Sequence, residues 1–247
     1  MITAIYGFLF YIAALILLGG VGYKIRQYTL TPAPLKIAVT PAPTTPSGVV
    51  FRIFREVVFF ESLFKSNKWI WLFGYIFHAS LLLIVLRHLR YFTEPVWFWV
   101  SLIQPFGLYA GFACVIGLGG LWFRRLAVER VRYITSPSDH LMLALIAAIV
   151  LSGLFMRYVD RIDIVALKAF VLGLIYFDWQ PMPADPVLMI HLGLVIVLMI
   201  VFPLSKLLHA PGVFFSPTRN QVDNPREIRH QAPWAAKLGS RSGVGVG

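Results

Sequence analysis

Five long apolar stretches, at about residues 2–22, 69–91, 99–122, 140–158 and 187–208, constrain this chain more than any other feature. Each is long enough to cross a hydrocarbon core about 30 Å thick, which takes about 20 helical residues. In lipid the backbone must satisfy its own hydrogen bonds, and a helix does so within one segment. The expected fold is therefore an all-α membrane protein, a bundle of five transmembrane helices. Composition agrees, since 58% of the 247 residues are hydrophobic and only 13% are charged, far from the balance of a soluble domain. The first stretch has neither a basic leading region nor a small-x-small cleavage site, so it is expected to be retained as a span.

Lysine and arginine give the expected orientation. With five spans, segments 24–69, 124–139 and 206–241 share one side and hold 7, 4 and 6 Lys or Arg, against 5 on the other side (Arg87, Arg90, Arg157, Arg161 and Lys168). The positive-inside rule then puts the N-terminus outside and the C-terminus in the cytoplasm. A sixth apolar patch, "IVALKAFVLGLIYF" at 164–177, has only 14 residues with Lys168 in its middle, which suits a helix lying at the membrane surface. The net charge of +11 thus records topology, with some surplus for anionic lipid or a cytoplasmic partner. No RNA-binding signature and no interleaving of basic and aromatic residues on a polar surface accompanies it, so nucleic acid is not a partner.

The expected organisation is a five-span domain at 1–209, with a cytoplasmic loop at 24–68, followed by a cytoplasmic partner-binding tail at 210–247. Within the loop, residues 29–48 are rich in Pro and Thr and should be extended. Residues 49–66, "VVFRIFREVVFFESLFKS", alternate apolar and charged positions at helical spacing and suit an amphipathic helix along the cytoplasmic face. The proline-bearing, glycine-ended tail should order only against another protein. The aromatic run "PVWFWV" at 95–100 suits an interfacial belt. The single cysteine, Cys114, lies in an apolar run, which excludes disulfides and any cysteine-ligated iron–sulfur or zinc centre within this chain.

The chemistry is carried by histidines. His78 and His88 lie ten residues apart in the second span, or ~15 Å along a helix axis. His191 and His209 lie 18 residues apart in the fifth, which as continuous helix is five turns and ~27 Å. Because those two spans run in opposite directions, His78 and His209 lie toward the cytoplasm and His88 and His191 toward the outside. Two cross-helix pairs at two depths result. Polar groups in hydrocarbon are costly and mark function. A haem iron takes one axial nitrogen on each side while its macrocycle offers apolar surface, and helix bundles hold such cofactors between facing helices. Two b-type haems fit, bound non-covalently because no C-x-x-C-H is present. The ten-residue spacing turns His88 ~80° from His78, a mismatch that helix tilt and a bend at Pro203 would absorb. The alternative for all four is interhelical hydrogen bonding. That structural role is the favoured one for His140, which has no partner at its depth, and His230 in the tail is expected to be solvated or at a subunit contact.

The stretches "FHASLLLIVLRH" and "HLGLVIVLMIVFPLSKLLH", with weaker similarity through "TSPSDHLMLALIAAIVLSGL", are where the chain resembles the membrane cytochrome b (gamma) subunits of respiratory nitrate reductases. Within that superfamily "TPAPLKI", "REVVFFESLFKS" and "HAPGVFFSPTRNQVDNPRE" are most similar to the DsrM-type cytochrome b subunit of the Dsr complex of sulfur-metabolising bacteria. The resemblance implies five spans and two bis-histidine haems. His78 and His209 would ligate the cytoplasmic-side haem b, and His88 and His191 the outer one. It implies a quinone site near one haem, exchanging with a menaquinone or other quinone pool. Where nitrate-reductase subunits have a glycine before the second histidine this chain has Arg87, and it has no counterpart near 104–109 of the lysine associated there with quinol binding. Arg87 and Arg90 beside His88, and Lys206 beside His209, are candidate haem-propionate contacts, with snorkelling to lipid headgroups as the alternative.

These residues point to an electron-transfer subunit of the bacterial cytoplasmic (inner) membrane, linking the quinone pool to a cytoplasmic iron–sulfur subunit. By the closer resemblance that partner is of heterodisulfide-reductase type and acts in dissimilatory sulfur metabolism, with further membrane and periplasmic subunits. Two alternatives stand beside it. One is a true nitrate-reductase gamma subunit, oxidising quinol for a partner with molybdenum and iron–sulfur centres. The other is a haem-free membrane anchor or transporter; against a transporter, the spans hold almost no acidic residues and no matching pair of Gly/Pro-broken helices.

Overall fold

A computed structural model describes residues 1–31, 38 and 41–227, and among these the regular elements are all helices. In chain order they are α1 (Ile2–Leu30), α2 (Pro46–Phe59), α3 (Glu61–Ser66), α4 (Lys68–His88), α5 (Phe98–Ala127), α6 (Glu129–Ile134), α7 (Pro137–Tyr158), α8 (Ile164–Tyr176), α9 (Pro186–Val201), α10 (His209–Gly212) and α11 (Pro217–Asn220). Short 3-10 turns, Leu89–Tyr91 and Phe202–Leu204, extend α4 and α9. α1, α4, α5, α7 and α9 are long and apolar enough to cross a membrane, and the protein is a multi-pass membrane protein.

Helix starts are set by side chains that satisfy the first free N–H groups. Asn67 accepts from the Ile70 N–H at the start of α4, Asp163 from Val165 and Ala166 at α8, and Asp185 from Leu188 at α9. At α7 the Asp139 carboxylate accepts both the Ser136 N–H and the Ser136 hydroxyl at 3.0 Å. Each such cap is worth ~1 kcal/mol.

The chain divides into two compact units, Met1–Gly22 with Phe59–Leu208, and Tyr23–Val58 with His209–Gly247. In the first, α4 packs on α5, α5 on α7 and α7 on α9. Successive helices are antiparallel: Arg87 meets Gly107 as Phe77 meets Gly117, Leu154 meets Gly111 as His140 meets Trp122, and Ser152 meets His191 as Asp139 meets Lys206. α1 runs parallel to α9, with Tyr6 donating to the Met189 carbonyl and Gly20 lying against Pro203. One cluster of buried side chains (Phe77, Cys114, Leu118, Ile146, Val150) joins α4, α5 and α7. A second (Leu167, Phe170, Leu174, Met182, Leu188) packs α8 and the start of α9 against Tyr6, Phe10 and Tyr11 of α1. The short α8 thus covers the end of the bundle where α1 and α9 begin, and Lys168 on it pairs with Glu94.

Small residues let α4 and α5 approach closely, as membrane helices do when lipid removes the hydrophobic drive between them. A Cβ on Gly117 would lie 2.6 Å from the Phe77 backbone nitrogen, and one on Gly107 2.6 Å from Arg87 Cδ. At Gly117 the obstacle is backbone, so that position has no room for a side chain, whereas at Gly107 it is the Arg87 side chain.

Three expectations are corrected. The fifth span is not a continuous helix to residue 208: α9 stops at Val201, a 3-10 turn carries Pro203, and Ser205 is extended (φ −108°, ψ 173°) before another turn at Lys206–Leu208. Proline lacks the N–H an α-helix needs and crowds the preceding turn, so the chain breaks instead of bending, and the five-turn spacing of His191 and His209 does not hold. The helix expected at 49–66 is two helices separated by Phe60 at φ 51°, a left-handed geometry uncommon for non-glycine residues. The described part of the tail orders against its own chain within the second unit. Arg219 pairs with Glu56 at 2.9 Å, the Asp223 N–H donates to the Pro43 carbonyl, and Phe215 packs on Tyr28.

Candidate functional site

The two α4 histidines are oriented by their own helix. His78 Nδ1 lies 2.7 Å from the Gly74 carbonyl oxygen and His88 Nδ1 2.6 Å from that of Ile84, each one turn back. A carbonyl oxygen only accepts, so both Nδ1 atoms carry the proton, and in the neutral ring Nε2 keeps a lone pair. On α9, His191 Nδ1 lies 2.9 Å from Ser152 Oγ of α7. That hydroxyl also has the carbonyls of Ala148 and Ile149 within reach, at 2.7 and 3.0 Å. Bound to a metal through Nε2, a neutral His191 would carry its proton on Nδ1 and donate it to Ser152. For His88 the backbone bond leaves Nε2 as the nitrogen able to bind a metal.

His88 and His191 lie near each other in the first unit, and the Tyr91 ring centroid is 5.9 Å from that of His88. His191 is 9% exposed, while His88 is exposed. His78 is half-buried between two ring edges, Phe60 at 5.1 Å and Phe77 at 5.0 Å. His209 opens α10 as an exposed residue of the second unit. His140 has the opposite polarity: Trp122 Nε1–H donates to its Nδ1 at 3.0 Å, so Nδ1 spends its lone pair on a structural bond. His230 lies outside the described residues.

The basic candidates are held by protein groups. Arg87 Nε donates to Gln104 Oε1 at 3.1 Å and its Nη1 to the Gly107 carbonyl at 3.2 Å, while Arg90 Nη1 reaches the same Gln104 oxygen at 3.3 Å. Arg90 also lies over the Tyr91 ring, 5.0 Å from its centroid. Lys206 pairs with Asp139 at 2.6 Å, and Arg125 stands 3.9 Å from the same carboxylate. Asp139 is only 7% exposed, and this pairing ties the start of α7 to the chain just beyond the break in α9. Beside Arg90 and Gln104 opens a cleft of about 310 Å³, lined also by Tyr91, Ser101, Val165 and Lys168. Apolar walls with a few convergent polar groups are what a small amphiphile takes.

Ser152, Gln104 and Asp139 were not legible as site residues. Each is a lone polar residue in or beside an apolar span, a weak signal because such side chains commonly bond their own helix. The donor set fits a haem: iron takes axial nitrogens from neutral imidazoles whose other ring N–H is engaged. His88 of α4 and His191 of α9 would hold one such group.

Residues 59–230 match the family described as nitrate reductase gamma subunit. The chain is also 35% identical over 280 aligned positions to the Hdr-like menaquinol oxidoreductase cytochrome b-like subunit of Archaeoglobus fulgidus, covering 95% of this chain and 84% of that protein. It is 34% identical over 273 positions to the protein of the same name from Archaeoglobus profundus, covering 91% of this chain and 80% of the relative. Matched along most of its length, the chain belongs to the nitrate reductase gamma subunit family.

Proposed function

We propose that this protein is the diheme cytochrome b subunit of a membrane quinone oxidoreductase, carrying electrons between a menaquinone or related quinone pool and a cytoplasmic iron–sulfur partner of heterodisulfide-reductase type. The observation that carries the reading is the pair His88 and His191, brought near each other in the first unit, with Nδ1 of His88 donating to the Ile84 carbonyl and Nδ1 of His191 against Ser152 Oγ. His88 and His191 hold the outer haem b. His78 and His209 hold the cytoplasmic-side haem b, an assignment drawn from the family resemblance. Bound haem supplies the one-electron chemistry. The chain's own residues fix the imidazole tautomers, exclude water with packed aromatic and aliphatic side chains, and set the spacing.

The names of the two archaeal relatives support menaquinol as the quinone and an Hdr-like complex as the setting. The cleft at Gln104, Tyr91 and Lys168 supports a quinone headgroup bound near His88, with Gln104 as a hydrogen-bond partner. Arg87 and Arg90, anchored there on Gln104, and Lys206, paired with Asp139, are the proposed propionate contacts of the two haems. The excess of Lys and Arg at 24–69, 124–139 and 206–241 supports an external N-terminus and a cytoplasmic C-terminus in a prokaryotic cytoplasmic membrane.

The match of residues 59–230 to nitrate reductase gamma subunits favours a second reading, quinol oxidation for a molybdenum partner. Purification of the complex from native membranes separates the two. We expect two b-type haems per chain by pyridine hemochrome and a copurified subunit carrying iron–sulfur clusters of the heterodisulfide-reductase kind, with a role in sulfur metabolism of the Dsr type. A copurified molybdenum subunit would establish the second reading, and a preparation without a b-type spectrum would leave a haem-free membrane anchor.

A further inference from the structure

Three of the candidate ligand rings have Nδ1 within hydrogen-bond distance of an oxygen, but not of the same kind. His78 and His88 donate to carbonyls of their own helix, Gly74 and Ile84. Those acceptors are backbone and stay whatever side chain stands at residue 74 or 84. His191 Nδ1 meets a side chain on a different helix, the hydroxyl of Ser152, 39 residues away in sequence.

A neutral imidazole that ligates iron through Nε2 carries its proton on Nδ1, so in the haem-bound protein Ser152 Oγ would be the acceptor. The hydroxyl's own proton then has the Ala148 and Ile149 carbonyls within reach, at 2.7 and 3.0 Å. Donating to a carbonyl also polarises the oxygen, which strengthens it as an acceptor. His191 is nearly buried, so water does not readily replace Ser152. The next residue on α7 is Gly153, where a Cβ would lie 3.5 Å from His191 Cε1; the imidazole edge rests directly on this part of the helix.

We propose that Ser152 is a positioning residue for His191 that sets the electron-donating strength of this ligand, and so the reduction potential of the haem it holds. The inference rests on the function proposed above. An Nδ1–H donated to a good acceptor gives the imidazole partial imidazolate character and raises its basicity toward iron. A more basic axial ligand favours ferric iron and lowers the potential. Loss of the acceptor works the other way, and it acts on the outer haem alone, because the other haem has no ligand bonded to Ser152.

The test is a redox titration of the purified complex, followed optically and by low-temperature electron paramagnetic resonance, for the unsubstituted protein, Ser152→Ala and Ser152→Thr. The unsubstituted protein is expected to show two low-spin components. In Ser152→Ala one component moves to a higher potential with a changed g-value, the other stays, and both haems remain by hemochrome count. Ser152→Thr keeps a hydroxyl able to make the same back-bond and returns the component toward its original potential. Two unmoved components, or two that move together, would overturn the inference while leaving the diheme reading in place. Loss of one haem in Ser152→Ala with retention in Ser152→Thr supports the positioning role, since the ring has then lost its orientation. A complex with no b-type spectrum would overturn the proposed function and this inference with it.

Discussion

Trp122 Nε1–H donates to His140 Nδ1 at 3.0 Å, joining α5 to α7 with the polarity opposite to that of His78 and His88, whose Nδ1 atoms donate to carbonyls. The direction of one hydrogen bond thus separates a structural histidine from two candidate ligands of the same residue type in the same apolar setting. His140→Phe should leave the haem count unchanged and strand the partly buried indole N–H. The expected cost is about 1–3 kcal/mol of stability, seen as a lower thermal midpoint in detergent with an unaltered absorption spectrum.

His88→Ala should remove one of two haems, and His191→Ala the same one. Hemochrome counts should fall by half in each variant and fall no further in the double variant, because either ligand alone abolishes the same site. A double variant without any haem would show that the two rings serve different cofactors.

Asp139 both caps α7 and pairs with Lys206. Asp139→Ala removes a cap worth ~1 kcal/mol and the partner of a largely exposed ammonium, itself worth under about 1 kcal/mol. Together the loss should be about 1–2 kcal/mol, measured as a lowered unfolding midpoint. Asp139→Asn should recover the part that belongs to the cap, since an asparagine side chain still accepts from the Ser136 N–H.

Gly117→Ala tests the close approach of α4 and α5. Its new methyl would stand 2.6 Å from a backbone nitrogen, which no rotamer change relieves, so the helices must separate. Overpacking of this kind costs about 1–3 kcal/mol. The shift reaches Phe77, next to His78, so the spectrum of the haem held by His78 should broaden along with the loss of stability.

Gln104 lies in the cleft proposed for the quinone headgroup and carries both Arg87 and Arg90. Gln104→Leu should keep both haems and slow haem reduction by a menaquinol analogue about tenfold, the value of one hydrogen bond of ~1.4 kcal/mol. Stopped-flow reduction at several quinol concentrations reads it. An unchanged rate with unchanged haem content would move the quinone elsewhere on the bundle.

Much of this protein follows from local rules. Lipid demands about 20 apolar helical residues per crossing, so the five spans are visible as five apolar lengths, and the structure has five helices able to cross. The ten-residue spacing of His78 and His88 likewise lies within one helix, α4. The tail and the fifth span resisted such reasoning. Pro203 offers a bend or a break on sequence grounds, and only the packing of the segment around it, with Lys206 drawn to Asp139, decides for the break. Arg219 and Glu56 are 163 residues apart in the chain, and nothing in the composition of the tail shows that it has a partner within its own sequence.

The chain's own order of residues determined that it is a membrane bundle, because span length and helical rise are properties of single segments. Tertiary structure alone decided what the rings meet. For His191 that is a serine from another helix, and for His140 an indole N–H from α5. A donor direction is set by what stands opposite it, and that neighbour is known only once the helices are packed.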